Sequence, residues 1–201
     1  MKIIGALGVA VIGMFMMFDG NAYGQTAPHS QFDATTAAVV DDQGNMHVPA
    51  DYQTSYQMLG TWAIAEKKGA GSKEMHVVYA SPGVIAAYRK TGRYPDGSVL
   101  VKEVYKTTTK PMTTGTVSSA DTLVGWFVMV KDDVGRFPKN TLWGDGWGWS
   151  WFNAADPKKT TSTDYKKDCL SCHVPAQASD WIYSYGYPPL CLLYTSDAAD
   201  E

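Results

Sequence analysis

Across most of this chain hydrophobic and polar positions alternate over short runs, the pattern of strands with one covered face. Residues 99–105 are the clearest case: β-branched, with period two, and preceded by the turn residues Pro95-Asp96-Gly97. Shorter strands are predicted over residues 61–66, 75–79 and 123–130. Another is predicted over 146–153, where Trp147, Trp149 and Trp151 alternate with Gly148 and Ser150. Helical spacing occurs in two places. Tyr52, Tyr56, Met58 and Leu59 predict a short helix ahead of Gly60. Ser81 as N-cap and Pro82 as first helical residue predict another, with Val84, Ile85, Ala87 and Tyr88 as its stripe and Thr91-Gly92 as its stop. Residues 67–73, the threonine- and serine-rich 107–122, and 134–145 are predicted as loops, and Asp42-Gln43-Gly44-Asn45 as a turn. Strands outnumber helices, no repeat is present, and most connections suit antiparallel pairing. The expected fold is mainly β (α+β), an antiparallel sheet with a few short helices.

The two ends differ from this middle. Met1-Lys2, an apolar run over residues 3–18 and the small residues Ala22 and Gly24 predict a signal peptide over 1–24, cleaved before Gln25. Residues 25–47 are expected to be a loose lead-in, and 48–190 a single domain. Residues 191–201 change in character and are expected to be a foreign or disordered tail. The net charge of −3 gives no basic footprint for nucleic acid.

Chemistry enters with Cys169-Leu170-Ser171-Cys172-His173. This is C-x-x-C-H, the spacing that attaches haem c through two thiols and offers the adjacent imidazole to the iron. On one helical turn the three side chains share a face. The competing readings are a redox dithiol or half of a zinc site. The other histidines (His29, His47, His76) are scattered, and Cys191 is the one remaining cysteine. Haem c also fits export, because bacterial haem c is attached outside the cytoplasm; the periplasm is the expected location. Seven tryptophans and twelve tyrosines suit a protein that surrounds a large flat apolar cofactor.

Period two puts Leu100, Lys102 and Val104 on one face of their strand. An ammonium between two aliphatic residues must snorkel, pair or lose its charge, and a neutral amine is a nucleophile. An edge-strand lysine reaching solvent is the plainer alternative. Arg136 is a candidate partner for a haem propionate, or a solvated loop arginine. The three tryptophans are expected to fill core or wall a pocket. Met75, Met112 and Met129 are the methionines that could supply a sixth iron ligand, with core filling the default. His76 is a candidate distal ligand, with a surface position on its strand as the default.

The segment Thr91-Gly-Arg-Tyr-Pro-Asp-Gly-Ser-Val-Leu-Val-Lys-Glu-Val104, with the late C-x-x-C-H, resembles the cytochrome P460 family, whose relatives the β-sheet cytochromes c′ share its fold. The resemblance covers residues 48–189. It implies a largely antiparallel β fold, a homodimer, and a five-coordinate haem with His173 proximal and an open distal side. Lys102 falls on the family's lysine that bonds a porphyrin meso carbon. Cytochromes P460 oxidise hydroxylamine to nitric or nitrous oxide, whereas the β-sheet cytochromes c′ bind nitric oxide and other small gases. The chain departs from the family at one position. Hydroxylamine-oxidising members carry a distal carboxylate on the strand after Lys102, and alignment through Val130-Lys131-Asp132 places Phe127 or Val128 there; residues 123–130 contain no Asp or Glu. Asp132 and Asp133 are expected to be solvated turn residues. The expectation is an exported haem c protein acting on hydroxylamine and passing electrons to a partner such as another cytochrome. Nitric oxide capture without turnover is the alternative, and a six-coordinate electron carrier the third reading.

Overall fold

The computed structural model describes residues 32–191; the residues expected to form a signal peptide, the start of the lead-in and residues 192–201 lie outside the described residues. Two single-turn helices, α1 (Ala34–Ala37) and α2 (Tyr52–Ser55), precede β1 (Gln57–Ala65) and β2 (Ser72–Ala80). Helix α3 (Val84–Thr91) leads into β3 (Val99–Met112), β4 (Gly115–Lys131), β5 (Trp143–Gly144) and β6 (Trp147–Asn153). Single-turn helices α4 (Tyr165–Asp168) and α5 (Leu170–His173) follow, then 3-10 turns. All strands pair antiparallel in one six-stranded sheet of order β1-β2-β3-β4-β6-β5. The mainly β expectation holds.

Four local expectations change. The helical spacing of Tyr52 to Leu59 yields only one turn, and β1 already starts at Gln57, with Met58 exposed and Leu59 buried in strand alternation. The predicted loop at 107–122 is the far half of a long β3–β4 hairpin, paired from Thr107↔Ala120 to Met112↔Gly115. Threonine favours the pleated backbone, but most of its residues here face water, so no hydrophobic alternation marks the strand. Helix α3 is capped by Gly83 (φ 82°) rather than Ser81, whose hydroxyl instead accepts the Val99 N–H and ties the helix entry to β3. The lead-in is not loose where it is described: Val39, Val40 and Met46 are buried.

The sheet covers a core on each face. Behind it, Val99, Val101, Val128 and Val130 pack with Phe152, Tyr52 and the lead-in. Glu103 is fully buried on this side, where the hydroxyl of Tyr52 donates to its carboxylate while accepting from Trp126 Nε1 at 2.9 Å. Removing that hydroxyl strips a buried carboxylate of a donor. Tyr52→Phe is therefore expected to lower stability by about 2 kcal/mol in urea unfolding, without moving the visible spectrum of the haem-loaded protein. In front, Leu59, Val78, Leu100, Met129, Trp147 and Trp149 pack with Ile182, Tyr187 and the segment that carries Cys169.

Candidate haem site

A cavity of about 380 Å³ opens within this front core, in the size range of ligand pockets. Alternate residues of four strands wall it: Glu74, His76 and Val78 from β2, Leu100, Lys102 and Val104 from β3, Phe127 and Met129 from β4, Trp149 and Trp151 from β6. Cys169, Cys172 and His173 close it from α4 and α5 with Ile182, Tyr183 and Tyr187. Strand period and helical turn thus bring Lys102 and the whole C-x-x-C-H motif to one cavity. Trp147, Trp149 and Trp151 share the front face; Trp147 is core, Trp149 is both core and cavity wall, and Trp151 is cavity wall. Gly148 is needed for the Trp143 indole, which a Cβ would meet at 2.8 Å.

His173 has a fixed tautomer. Its Nδ1–H donates to the Trp181 carbonyl at 2.6 Å, leaving the Nε2 lone pair for an axial ligand. Trp149 stands edge-on to the ring, centroids 5.0 Å apart. Burial holds the imidazole below its ordinary pKa; the Trp181 hydrogen bond opposes this, and Lys102 adds to it. The acceptor carbonyl sits on unusual backbone. Asp180 (φ 58°) and Trp181 (φ 66°) are consecutive left-handed non-glycine residues, a conformation that costs about 1–2 kcal/mol each. Their position carries no signal in the sequence.

Burial pushes the Cys169 thiol up to about 11, with Asp168 adding to the rise. A reactive dithiol needs the opposite shift, so the redox reading of the motif loses support. Lys102 is desolvated: burial lowers its ammonium pKa, with Cys172, Cys169 and Glu74 opposing in part. Its Nζ lies 4.3 Å from the Phe127 ring centroid, and the two residues are paired across β3 and β4. A protonated amine is the costly form here.

Other candidates are resolved by placement. Phe127 faces the cavity while Val128 is fully buried in the rear core, so the distal position of the alignment is Phe127. His76 is in the cavity wall, not at the surface, with Nε2 3.4 Å from Glu74 Oε2. The pattern around His76 is apolar on both sides, so alternation alone could not choose its face. Met129 is buried core and wall, and Met112 is exposed at the hairpin tip. Arg136 does not line the cavity. Its guanidinium binds Asp96 at 2.6 Å and Asp132 at 2.7 Å and covers the Phe32 ring, so Asp132 is a buried ion-pair partner rather than a solvated turn residue. Asp133 is half exposed and pairs with Lys131 at 2.8 Å. Sequence reasoning missed Lys131, Asp180 and Glu74.

The residues fit a haem. The cavity is mostly apolar, one imidazole nitrogen faces it unencumbered, and both thiols are free and border it. A cofactor pocket against the face of an antiparallel sheet, closed by a late C-x-x-C-H turn, defines a β-sheet haem protein rather than a helical cytochrome. A family model described as cytochrome P460 matches residues 49–184, and the chain belongs to that family. No curated protein matches it.

Proposed function

We propose that this is an exported, periplasmic haem c protein that oxidises hydroxylamine and passes the electrons to an external acceptor such as another cytochrome, acting as a homodimer. The observation that carries the reading is the shared cavity: a bare His173 Nε2, both thiols and a desolvated Lys102 amine meet in one apolar space. Cys169 and Cys172 would hold the porphyrin through thioethers, and His173 would bind the iron. Lys102 Nζ would add a third covalent link, to a meso carbon of the porphyrin, an oxidative coupling whose two protons and two electrons would go to an external oxidant of the peroxide class. When bound, the haem iron supplies an open coordination site and an electron sink.

The chain's own residues do the rest. Phe127, Met129 and Val104 keep the cavity apolar. The Trp181 carbonyl keeps His173 donating through Nε2. Oxidation of hydroxylamine to nitric oxide releases three protons and three electrons, and the acceptors on the wall are His76, Glu74 and Asp168, whose Oδ2 already accepts from the Thr163 and Asp164 N–H groups. Burial, with Lys102 second, lowers the pKa of His76, which keeps it neutral and able to accept a proton. His76→Leu is expected to cut turnover by about 100-fold and to leave the haem spectrum unchanged. In the parent, turnover is expected to fall only as pH drops through that lowered pKa, because the neutral imidazole persists above it.

The test is hydroxylamine consumption by the haem-loaded protein with an artificial electron acceptor. Saturable turnover supports the reading; tight nitric oxide binding with no turnover supports the second. That second reading, gas capture without chemistry, draws on one observation. The residue opposite Lys102 is Phe127, which is apolar and suits an uncharged diatomic.

A further inference from the structure

Lys131 is a buried cation outside the cavity, and the reaction has no use for it. It ends β4, opposite Trp147 at the start of β6. Its Nζ bonds Asp133 at 2.8 Å, Asp180 Oδ1 at 3.2 Å and the Gly146 carbonyl at 3.3 Å. Gly146 makes room for it, since a Cβ there would meet Nζ at 2.9 Å. Trp147, fully buried, sends its Nε1–H to the Asp180 carbonyl at 3.1 Å and to Asp180 Oδ1 at 3.3 Å. The peptide joining Asp180 to Trp181 is thus held at its oxygen by Trp147 and at its N–H by the Ala176 carbonyl, 2.9 Å away. Two rigid strands therefore grip Asp180, the first residue of the left-handed pair. The carbonyl of the second is the one that accepts from His173 Nδ1.

We propose that Lys131 is a positioning residue for the proximal imidazole. Through Asp180 it holds the strained Asp180–Trp181 pair, and so keeps the Trp181 carbonyl on His173 Nδ1. A strong acceptor at Nδ1 makes the opposite nitrogen a more basic ligand, which favours ferric over ferrous iron. Lys131 thereby tunes the iron from the end of β4 without lining the cavity. The inference rests on His173 binding the iron, and not on which small molecule reacts.

The test uses the haem-loaded full chain, with the midpoint potential read by spectroelectrochemistry and the iron–histidine stretch read in the ferrous state. Lys131→Met, which keeps the aliphatic stem, is expected to raise the potential and lower the stretching frequency. Asp180→Asn, which keeps the shape and the Trp147 contacts, is expected to shift both in the same direction by less. It also serves as the test should Lys131→Met fail to fold. Asp133→Asn, which removes only the partly exposed partner, is expected to move neither. A folded Lys131→Met or Asp180→Asn protein that has lost thermal stability but kept its potential would reduce Lys131 to a structural ion pair and overturn the proposal. An unmutated chain without histidine-ligated haem would fail the haem reading itself, a separate result visible before any variant is compared.

Discussion

Phe127→Glu is expected to raise hydroxylamine turnover by about 100-fold or more, while Val128→Glu is expected to unfold the chain. The two positions are neighbours, and the sequence could not choose between them. Phe127 faces the cavity beside Lys102, so a carboxylate there gains a cationic neighbour and a substrate proton to accept. Val128 is fully buried among valines on the other side of the sheet, where an unpaired carboxylate costs about 4 kcal/mol or more, a large share of a typical domain's stability. Steady-state hydroxylamine kinetics and urea unfolding of the two variants check the pair. An active, stable Val128→Glu protein would mean that the strand register is wrong. The Soret band must be recorded in the same Phe127→Glu sample. A carboxylate beside Lys102 before the bond forms would hold its amine in the charged form and block attack on the porphyrin, so the gain in turnover is expected of the cross-linked fraction, read from its red-shifted band.

Lys102→Ala is expected to return a strongly red-shifted Soret band to the position of an ordinary haem c and to abolish most hydroxylamine turnover. The amine is where a nucleophile has to be, desolvated and bordered by the same cavity as both cysteines. The effect on folding is expected to be small, within about 1 kcal/mol, because lost packing of the lysine stem is offset by relief of a buried amine. Lys102→Met, which restores the packing but not the nitrogen, should match Lys102→Ala in spectrum. Identical spectra in parent and variants would make Lys102 a plain strand residue and leave gas binding or electron transfer as the function.

What was legible in the sequence followed from periodicity with a contrast in it. Lys102 stands out because Leu100 and Val104 flank it at period two, and the structure puts all three on the cavity wall. The C-x-x-C-H spacing is likewise local, and its turn is where the motif requires. The failures have a common cause. In the far half of the β3–β4 hairpin most positions are wet, so residues 107–122 offered no contrast and were expected as a loop. Around His76 both neighbours are apolar, so the face it takes is decided by β1 and β3 rather than by β2 alone. Arg136 sits in a loop whose partners, Asp96 and Asp132, are brought together only by the ends of β3 and β4. The left-handed Asp180–Trp181 pair is gripped by Trp147 and Lys131, each more than thirty positions away, and no local composition announces it.

The most direct test of the central claim, a covalently held haem with His173 on one side and an open coordination site on the other, is the optical spectrum of the reduced, haem-loaded protein before and after carbon monoxide. The account predicts a haem that resists acid–acetone extraction and whose Soret band shifts fully on saturation with the gas. A spectrum that ignores carbon monoxide would mean that a sixth ligand from the chain fills the site, and would contradict a role in hydroxylamine or nitric oxide chemistry.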